Sequence, residues 1–229
     1  MSIGVLMLDT QFERLPGDIG HPASWPFELV YEVVDGATPE AVVTADEPNL
    51  LEPFLRGANA LIKQGVSGIT TTCGFLGIYQ QALAKQCSVP VATSALLQYS
   101  MIRHHLSDEQ SVGILTYRQS AISDNLLTQT GCDLNAPVVG FAEDSNFYRW
   151  IMTGDNTIPR AKLETDVRHA VRELTSRHQS LGAILCECTN LPPFIDSIRA
   201  ETTLPVYDMT TLLHWFYAGL KSSPRHTPQ

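Results

Sequence analysis

Short apolar runs alternate with longer amphipathic segments along most of the chain. The runs at residues 3–8 and 181–186 have the length and the continuous apolar character of buried strands. The segments between such runs place apolar residues at helical spacing, as in a predicted helix that begins at Asp46 or Glu47. Strands alternating with helices are typical of parallel sheets covered by helices. The pattern therefore predicts an α/β fold.

The same pattern occurs twice. Cys73 and Cys188 each follow an apolar strand, and they lie 115 positions apart. Pro90 and Pro205, each inside the next strand signal, are separated by the same 115 positions. We interpret this as an internal duplication that places one cysteine at matching points of two halves.

The duplication predicts two pseudo-symmetric, flavodoxin-like lobes at residues 1–108 and 109–229, with a boundary near Asp108. Each lobe is expected to hold a mainly parallel four-stranded sheet, and a C-terminal helix is allowed to cross over between the lobes. Ligands of parallel sheets bind outside the carboxyl ends of the strands. The active site is therefore expected in the cleft between the lobes.

Two segments break the alternation. Residues 11–27 are too rich in proline and glycine for a helix and predict a long ordered loop. Their apolar residues, Trp25 and Phe27 among them, favour a lid or a pocket wall. Residues 142–159 look irregular and aromatic, and we interpret them as a second insertion beside the pocket.

Composition narrows the function. Apolar residues make up 44% of the chain and the formal net charge is −9, which argues against nucleic acid as a partner but not against a small carboxylate. No apolar run reaches the roughly 20 residues of a membrane span. The five cysteines are an odd number, and Met1 leads directly into a strand without a signal peptide. These features favour reduced thiols and a cytoplasmic location.

Two cysteines facing one cleft suggest acid–base chemistry. A thiol and a thiolate on opposite faces of a carbon acid can remove a proton on one side and return one on the other, which inverts the stereocentre without a cofactor. Cys73 and Cys188 are therefore the predicted catalytic residues. Each precedes a predicted helix, whose N-terminus is expected to lower the pKa of the thiol.

The carboxylate of such a substrate needs fixed donors as it becomes an enediolate. The backbone amides of Gly74, Phe75, Thr189 and Asn190 are candidates because they lie at strand-to-helix turns. Hydroxyl groups add further donors; the candidates are those of Thr10, Thr72 and Thr189.

Other residues carry two interpretations each. Asp9 either orients a thiol or binds an amino group, or it caps a loop; Tyr117 either binds a substrate carboxylate or packs in the core. Cys186 is expected to fill the core. Cys186 and Cys188 together resemble half of a zinc site, but no second metal-binding pair accompanies them, so no metal is predicted.

Two motifs resemble the aspartate/glutamate racemase superfamily, which includes arylmalonate decarboxylase and maleate isomerase. The segment Cys188-Thr189-Asn190-Leu191-Pro192 is similar to the family's Cys-Thr-His-x-Pro motif. Thr72-Cys73-Gly74-Phe75 is similar, less closely, to its Cys-Asn-Thr motif, and Asp9-Thr10 lies where glutamate racemases carry Asp-Ser. The resemblance implies proton transfer at a carbon α to a carboxylate, without a cofactor, in a possible homodimer.

The leading hypothesis is thus a cofactor-independent racemase or epimerase of an amino-acid-like carboxylate. A decarboxylase or cis–trans isomerase of the same superfamily is a second hypothesis, and a non-catalytic module that binds a small carboxylate is a third. Gly74 and Phe75 replace the Asn-Thr that grips an amino acid in the family, so the substrate stays open.

Overall fold

A computed structural model describes residues 1–43 and 50–220 of the chain. It contains two four-stranded sheets in which every strand pair is parallel. In the first sheet the strands β1 (Ser2–Leu8), β2 (Glu28–Val34), β3 (Gly68–Thr71) and β4 (Val91–Ala92) follow the order β2-β1-β3-β4. In the second sheet β5 (Ser111–Leu115), β6 (Val138–Val139), β7 (Leu181–Cys186) and β8 (Val206–Tyr207) follow the equivalent order β6-β5-β7-β8. The predicted α/β fold with two similar parallel sheets is confirmed.

Helices cover both sheets. The predicted helix start at Asp46 or Glu47 lies outside the described residues. Within the described ones, the α-helices are α1 (Pro39–Val43), α2 (Leu51–Lys63), α3 (Gln80–Gln86), α4 (Tyr99–His104), α5 (Asp124–Thr130), α6 (Asn146–Thr153), α7 (Arg160–Arg177), α8 (Ile195–Arg199) and α9 (Met209–Leu220). Short 3-10 helices occupy Pro22–Ser24, Gly74–Tyr79, Ala95–Gln98, Gln119–Ala121 and Pro192–Phe194.

Residues 142–159 are not irregular throughout, and that prediction was wrong. The helix α6 lies inside this segment because a cap and an apolar face stabilise it. The side chain of Ser145 accepts a hydrogen bond from the backbone N–H of Tyr148 at 3.1 Å, and Gly154 ends the helix in the left-handed conformation. The buried face carries Phe147, Trp150 and Ile151. Polar residues separate Phe147 from Trp150, so the helical spacing was not recognised from the sequence.

The last helix of each half packs against the other half. The apolar face of α9 joins a cluster with Ile3 and Val5 of β1, and Phe216 lies so close to Gly68 that no side chain fits there. In the opposite direction α4 contacts β5, and the hydroxyl of Tyr99 donates to Asp133 at 3.0 Å. These reciprocal contacts join the two lobes and bring the carboxyl ends of their sheets together.

The two ends of residues 11–27 contact different parts of the protein: one lines the cavity between the lobes, and the other packs on α9. The aromatic residues at the end of this segment do not face the cleft: Trp25 and Phe27 pack against α9, where Phe27 stacks on Tyr217 with a centroid separation of 4.2 Å. The earlier part of the segment, with Phe12 and Arg14, lines the cavity between the lobes. The predicted pocket wall is therefore formed by the beginning of the loop and not by its end with Trp25 and Phe27.

Candidate active site

A cavity lies between the two lobes at the carboxyl ends of β1, β3 and β7. It brings together nine of the ten predicted site residues: Thr10, Thr72, Cys73, Gly74, Phe75, Tyr117, Cys188, Thr189 and Asn190. The other lining residues are the apolar Leu8, Phe12, Pro39, Val43 and Ile151 and the charged Arg14 and Glu187. The two cysteines that the duplication pairs in the sequence thus line one cavity.

Asp9 is the predicted site residue that this cavity excludes. It is exposed, and its backbone N–H donates to the carbonyl of Ala37 at 3.0 Å. The side chain borders a separate depression that it shares with Gln11. The reason is the alternation of side chains along β1 and its extension, which turns Thr10 toward the cavity and Asp9 away from it.

Cys73 lies two residues beyond the end of β3 and is the N-cap of the 3-10 helix Gly74–Tyr79. Burial, and next the negative charge of Glu187, raise the pKa of its thiol to about 12. The backbone N–H groups of Phe75 and Leu76 point at the sulfur and lower the pKa, but by less. The prediction of a thiol acidified by a helix N-terminus was therefore wrong, because desolvation of the thiolate outweighs the backbone donors.

Cys188 lies deeper, with 6% of its surface exposed. Its sulfur is 3.7 Å from Oδ1 of Asn190, and the backbone N–H of Asn190 also points at it. Burial is again the first cause that raises its pKa well above the ordinary value, followed by the charge of Glu187. Both cysteines therefore rest as neutral thiols. The amides of Phe75 and Asn190, which we expected to hold an enediolate, face the sulfur atoms instead.

Glu187 is a site residue that the sequence reasoning missed. It lies between Cys186 and Cys188, is fully buried, and lines the cavity. Its Oε2 accepts a hydrogen bond from the hydroxyl of Thr116 at 2.7 Å, and its Oε1 has no partner. Burial raises the pKa of this carboxyl to about 7, although bonds from Thr116 and from the backbone of Tyr117 lower it. The cavity wall thus holds a carboxyl group that changes its charge near neutral pH.

Arg14 is the second site residue that was missed. Its guanidinium donates to Asp18 at 3.1 Å and to the hydroxyl of Thr10 at 3.1 Å. Asp18 is fully buried, and it also accepts a hydrogen bond from the side-chain amide of Asn190 at 2.6 Å. A continuous chain of polar contacts therefore runs from Arg14 through Asp18 and Asn190 to the thiol of Cys188.

Two predicted hydroxyl donors are already engaged with the protein. Thr189 donates to the backbone carbonyl of Thr72 at 2.6 Å, across the junction of the lobes. Tyr117 donates to the carbonyl of Tyr148 at 3.0 Å and stacks on its ring. These hydroxyl groups hold the cavity walls in place. Because each has a single proton to donate, they do not donate to a ligand in this arrangement.

The sequence did contain signals for both missed residues. Glu187 directly follows the apolar residues 181–186, which are typical of a buried strand. A charged residue at such a position is rare unless it has a role, because burying a charge is costly. Arg14 is the one Lys or Arg in residues 11–27.

The described residues were also compared with the predictions on metal binding, Cys186 and membrane spans. Among residues 1–43 and 50–220 no group of three or more His, Cys, Asp or Glu side chains is arranged to hold a metal ion. Cys186 is fully buried in the core, as predicted. No helix among the described residues is both long and apolar enough to cross a membrane.

Comparison of the sequence with known proteins finds related lyases. The chain is 29% identical to a dimethylsulfoniopropionate lyase of Durusdinium sp. clade D, over 98% of this chain and 76% of that protein. It is 33% identical to dimethylsulfoniopropionate lyase 3 of Emiliania huxleyi (strain CCMP1516), over 98% of this chain and 61% of the relative. Lyase 7 of the same strain is 30% identical, over 98% of this chain and 68% of its own length. The chain thus spans between about three fifths and three quarters of these relatives. None of the protein-family profiles matches it.

Comparison of the structure with solved structures finds the racemase fold. A variant of arylmalonate decarboxylase superimposes with a TM-score of 0.62 at 15% identity, over 96% of this chain and 93% of that one. Glutamate racemase from Campylobacter jejuni gives a TM-score of 0.61 at 14% identity, over 100% of this chain and 89% of that one. An aspartate racemase homologue from Pyrococcus horikoshii gives 0.59 at 13% identity, over 96% and 99%. The resemblance to the aspartate/glutamate racemase superfamily is confirmed at the level of the fold.

Proposed function

The chain belongs to the dimethylsulfoniopropionate lyase family, and we propose that it is itself a lyase of a carboxylate that carries a sulfonium group on its β-carbon. The reaction removes a proton from the α-carbon. The electrons of that C–H bond form a carbon–carbon double bond as the bond from the β-carbon to sulfur breaks. With dimethylsulfoniopropionate the products are acrylate, dimethyl sulfide and one proton. This proposal replaces inversion at the α-carbon with elimination, but keeps proton removal as the first event.

One observation carries the proposal: both cysteines of the duplicated pattern line a single, largely apolar cavity between the lobes. We assign proton removal to Cys73. Glu187 raises the pKa of both thiols. Two backbone N–H groups and Arg14 lower the pKa of Cys73, whereas Cys188 has one such N–H and also lies near the charge of Asp18. Cys188 then remains a neutral thiol that faces the same cavity and positions the substrate; it transfers no proton, because dimethyl sulfide leaves as a neutral molecule.

The raised pKa of Cys73 suits this role once the thiolate has formed. A thiolate whose conjugate acid has a pKa of about 12 is a stronger base than an ordinary cysteine thiolate, and the α-proton of a carboxylate is weakly acidic. A bound sulfonium cation favours ionisation of the neighbouring thiol, because an opposite charge stabilises the anion in a site of low dielectric. Substrate binding thereby supplies part of the driving force for forming the base.

The test is product identification with purified protein. Dimethylsulfoniopropionate is the substrate, dimethyl sulfide is measured by gas chromatography, and acrylate is measured by nuclear magnetic resonance. We expect the two products in equal amounts. Absence of dimethyl sulfide at high protein concentration, with the chain folded, would remove the lyase assignment.

A racemase is the second candidate, because the two cysteines come from opposite lobes and line one cavity. Incubation of the same protein with the enantiomers of aspartate and glutamate in deuterated water tests it. A racemase incorporates deuterium at the α-carbon and inverts the enantiomer. The lyase proposal predicts neither change at a rate comparable to the release of dimethyl sulfide.

A further inference from the structure

The cavity between the lobes is too small for the ligand that it is proposed to bind. Its free volume is about 30 Å³. A single water molecule needs roughly 10–15 Å³ of such space, so the cavity holds about two. A carboxylate that carries a sulfonium group takes up the space of several more. Part of the wall must therefore move before such a ligand reaches Cys73 and Cys188.

A second, larger depression lies outside this wall. Its free volume is about 180 Å³, and exposed residues such as Gln11 and Thr38 line it. Pro39 and Ile151 line both this outer depression and the cavity. These two residues therefore form a partition between the two spaces.

The end of β1 and the residues after it continue the partition. Leu8, Thr10 and Phe12 line the cavity, while Asp9 and Gln11 line the outer depression. Such alternation is typical of an extended segment with one space on each side. A single layer of protein thus separates the outer depression from the cavity.

Pro39 and Ile151 move only with the helices that carry them. The ring of proline is rigid, and a β-branched side chain in a helix keeps one preferred χ1 rotamer. Pro39 begins α1 of the first lobe, and Ile151 lies in the last turn of α6 of the second lobe. These two short helices contact each other. Opening the partition therefore means separating α1 from the end of α6.

Exposed polar contacts hold the end of α6 against the first lobe. Just beyond the helix, the side chain of Asn156 accepts a hydrogen bond from the backbone N–H of Glu13 at 2.7 Å and donates to the carbonyl of Gln11 at 3.4 Å. Water can replace exposed hydrogen bonds at little cost. Elsewhere the lobes are joined by the buried apolar packing of α9 on β1. The contact at Asn156 therefore opens more easily than that packing.

We propose that Pro39 and Ile151 form a gate between the outer depression and the cavity, that Asn156 holds this gate shut, and that its width decides which ligands reach the two thiols. The gate does not depend on the lyase function, because any ligand of the two cysteines must enter the same cavity. Ile151 limits the size of the ligand and takes no part in the reaction.

Alkylation by reagents of two sizes tests the gate. The full chain is treated with iodoacetamide, which is small, or with N-phenylmaleimide, which is bulky, and mass spectrometry follows the modification of each cysteine. Ile151→Ala should speed the reaction of Cys188 with the bulky reagent by roughly fivefold or more, and with iodoacetamide by less. Asn156→Ala should speed both reactions. Met152→Ala is the matched control, because Met152 lines the outer depression but not the cavity, and its rates should stay within about twofold of wild type.

Two other cysteines serve as internal controls in each sample. Cys186 is fully buried in the core, so its modification indicates unfolding and not opening of the gate. Cys87 is partly exposed and lies outside the cavity, so it should react at the same rate in every variant.

An unchanged rate at Cys188 in a folded Ile151→Ala variant, or an equal increase in Met152→Ala, would overturn the gate. If Ile151→Ala does not fold, Asn156→Ala decides, since it changes an exposed side chain: without faster modification of Cys188 the gate is wrong. The lyase assignment is tested separately. Release of dimethyl sulfide with an unresponsive gate would keep the lyase and remove the gate, and a responsive gate without release would do the reverse.

Discussion

Gly74 of the first lobe lies directly against Glu187 of the second, with no space between them for a side chain. A Cβ at position 74 would overlap both the carboxylate and the backbone carbonyl of Glu187. This contact places the residue that follows one cysteine against the residue that precedes the other. The position of the buried carboxyl group in the cavity thus depends on a glycine.

Substitution of that glycine should therefore disturb both stability and the site. Gly74→Ala forces the lobes apart or pushes the carboxylate of Glu187 into the cavity, and we expect a loss of about 1–3 kcal/mol in the free energy of unfolding. Urea titration measures the loss, and dimethyl sulfide release should fall with it. Gly219→Ala is the control, since it lies in α9 with no heavy atom within 4 Å of the added Cβ. That change should be neutral or stabilising by up to about 1 kcal/mol.

The buried carboxyl group should make the stability of the protein depend on pH. Folding raises the pKa of Glu187 from 4.5 to about 7, so between these values the folded state binds more protons than the unfolded state. Stability from this group is present at low pH and is lost as the pH rises through 7. Glu187→Gln removes the effect. The free energy of unfolding of the variant, relative to wild type, should therefore rise by about 2–3 kcal/mol from pH 5 to pH 8.

Chemical denaturation at both pH values measures this difference. The exposed Glu143 provides the matched control, because Glu143→Gln should leave the pH dependence unchanged. A variant at position 187 with the same pH dependence as wild type would show that this carboxyl group titrates normally.

The hydrogen bond between the lobes should contribute measurably to their association. Thr189→Val keeps the shape of the side chain but leaves the carbonyl of Thr72 without its donor, which we expect to cost about 1–3 kcal/mol. Thermal or urea unfolding measures the cost. Thr165→Val is the comparison: its hydroxyl donates to a carbonyl of its own exposed helix, so its loss should cost less than about 1 kcal/mol. Equal losses of stability in the two variants would show that the Thr189 hydrogen bond contributes no more to stability than that of Thr165.

The fold could be predicted from the sequence because predicted strands, a cysteine and a proline recur in the second half, with the cysteines and the prolines each 115 positions apart. The sequence was also sufficient to place nine site residues in one cavity, since parallel strands with equivalent positions end at the same edge. It was not sufficient for α6, whose apolar residues Phe147, Trp150 and Ile151 are separated by polar and charged ones. This helix is only eight residues long, and its buried face and its serine cap are recognised only in the folded structure.

The ionisation of the site was beyond sequence reasoning for a different reason. Whether a helix N-terminus or burial dominates the pKa of Cys73 depends on how much water reaches the sulfur. That quantity is set by how closely the lobes pack, and by the carboxyl group of Glu187 that the packing brings to the cysteine. The hydrogen bond from Asn190 to Asp18 likewise joins segments that are far apart in the chain.

We propose that Cys73 removes the α-proton and that Cys188 positions the substrate in the same cavity. The most direct measurement is the rate of dimethyl sulfide release by wild type, Cys73→Ser, Cys188→Ser and Cys87→Ser under identical conditions. We expect Cys73→Ser to lower kcat/KM by roughly 100-fold or more and Cys188→Ser to lower it as well, whereas Cys87→Ser, outside the cavity, should leave it within about twofold. Release at the wild-type rate by a folded Cys73→Ser variant would contradict it.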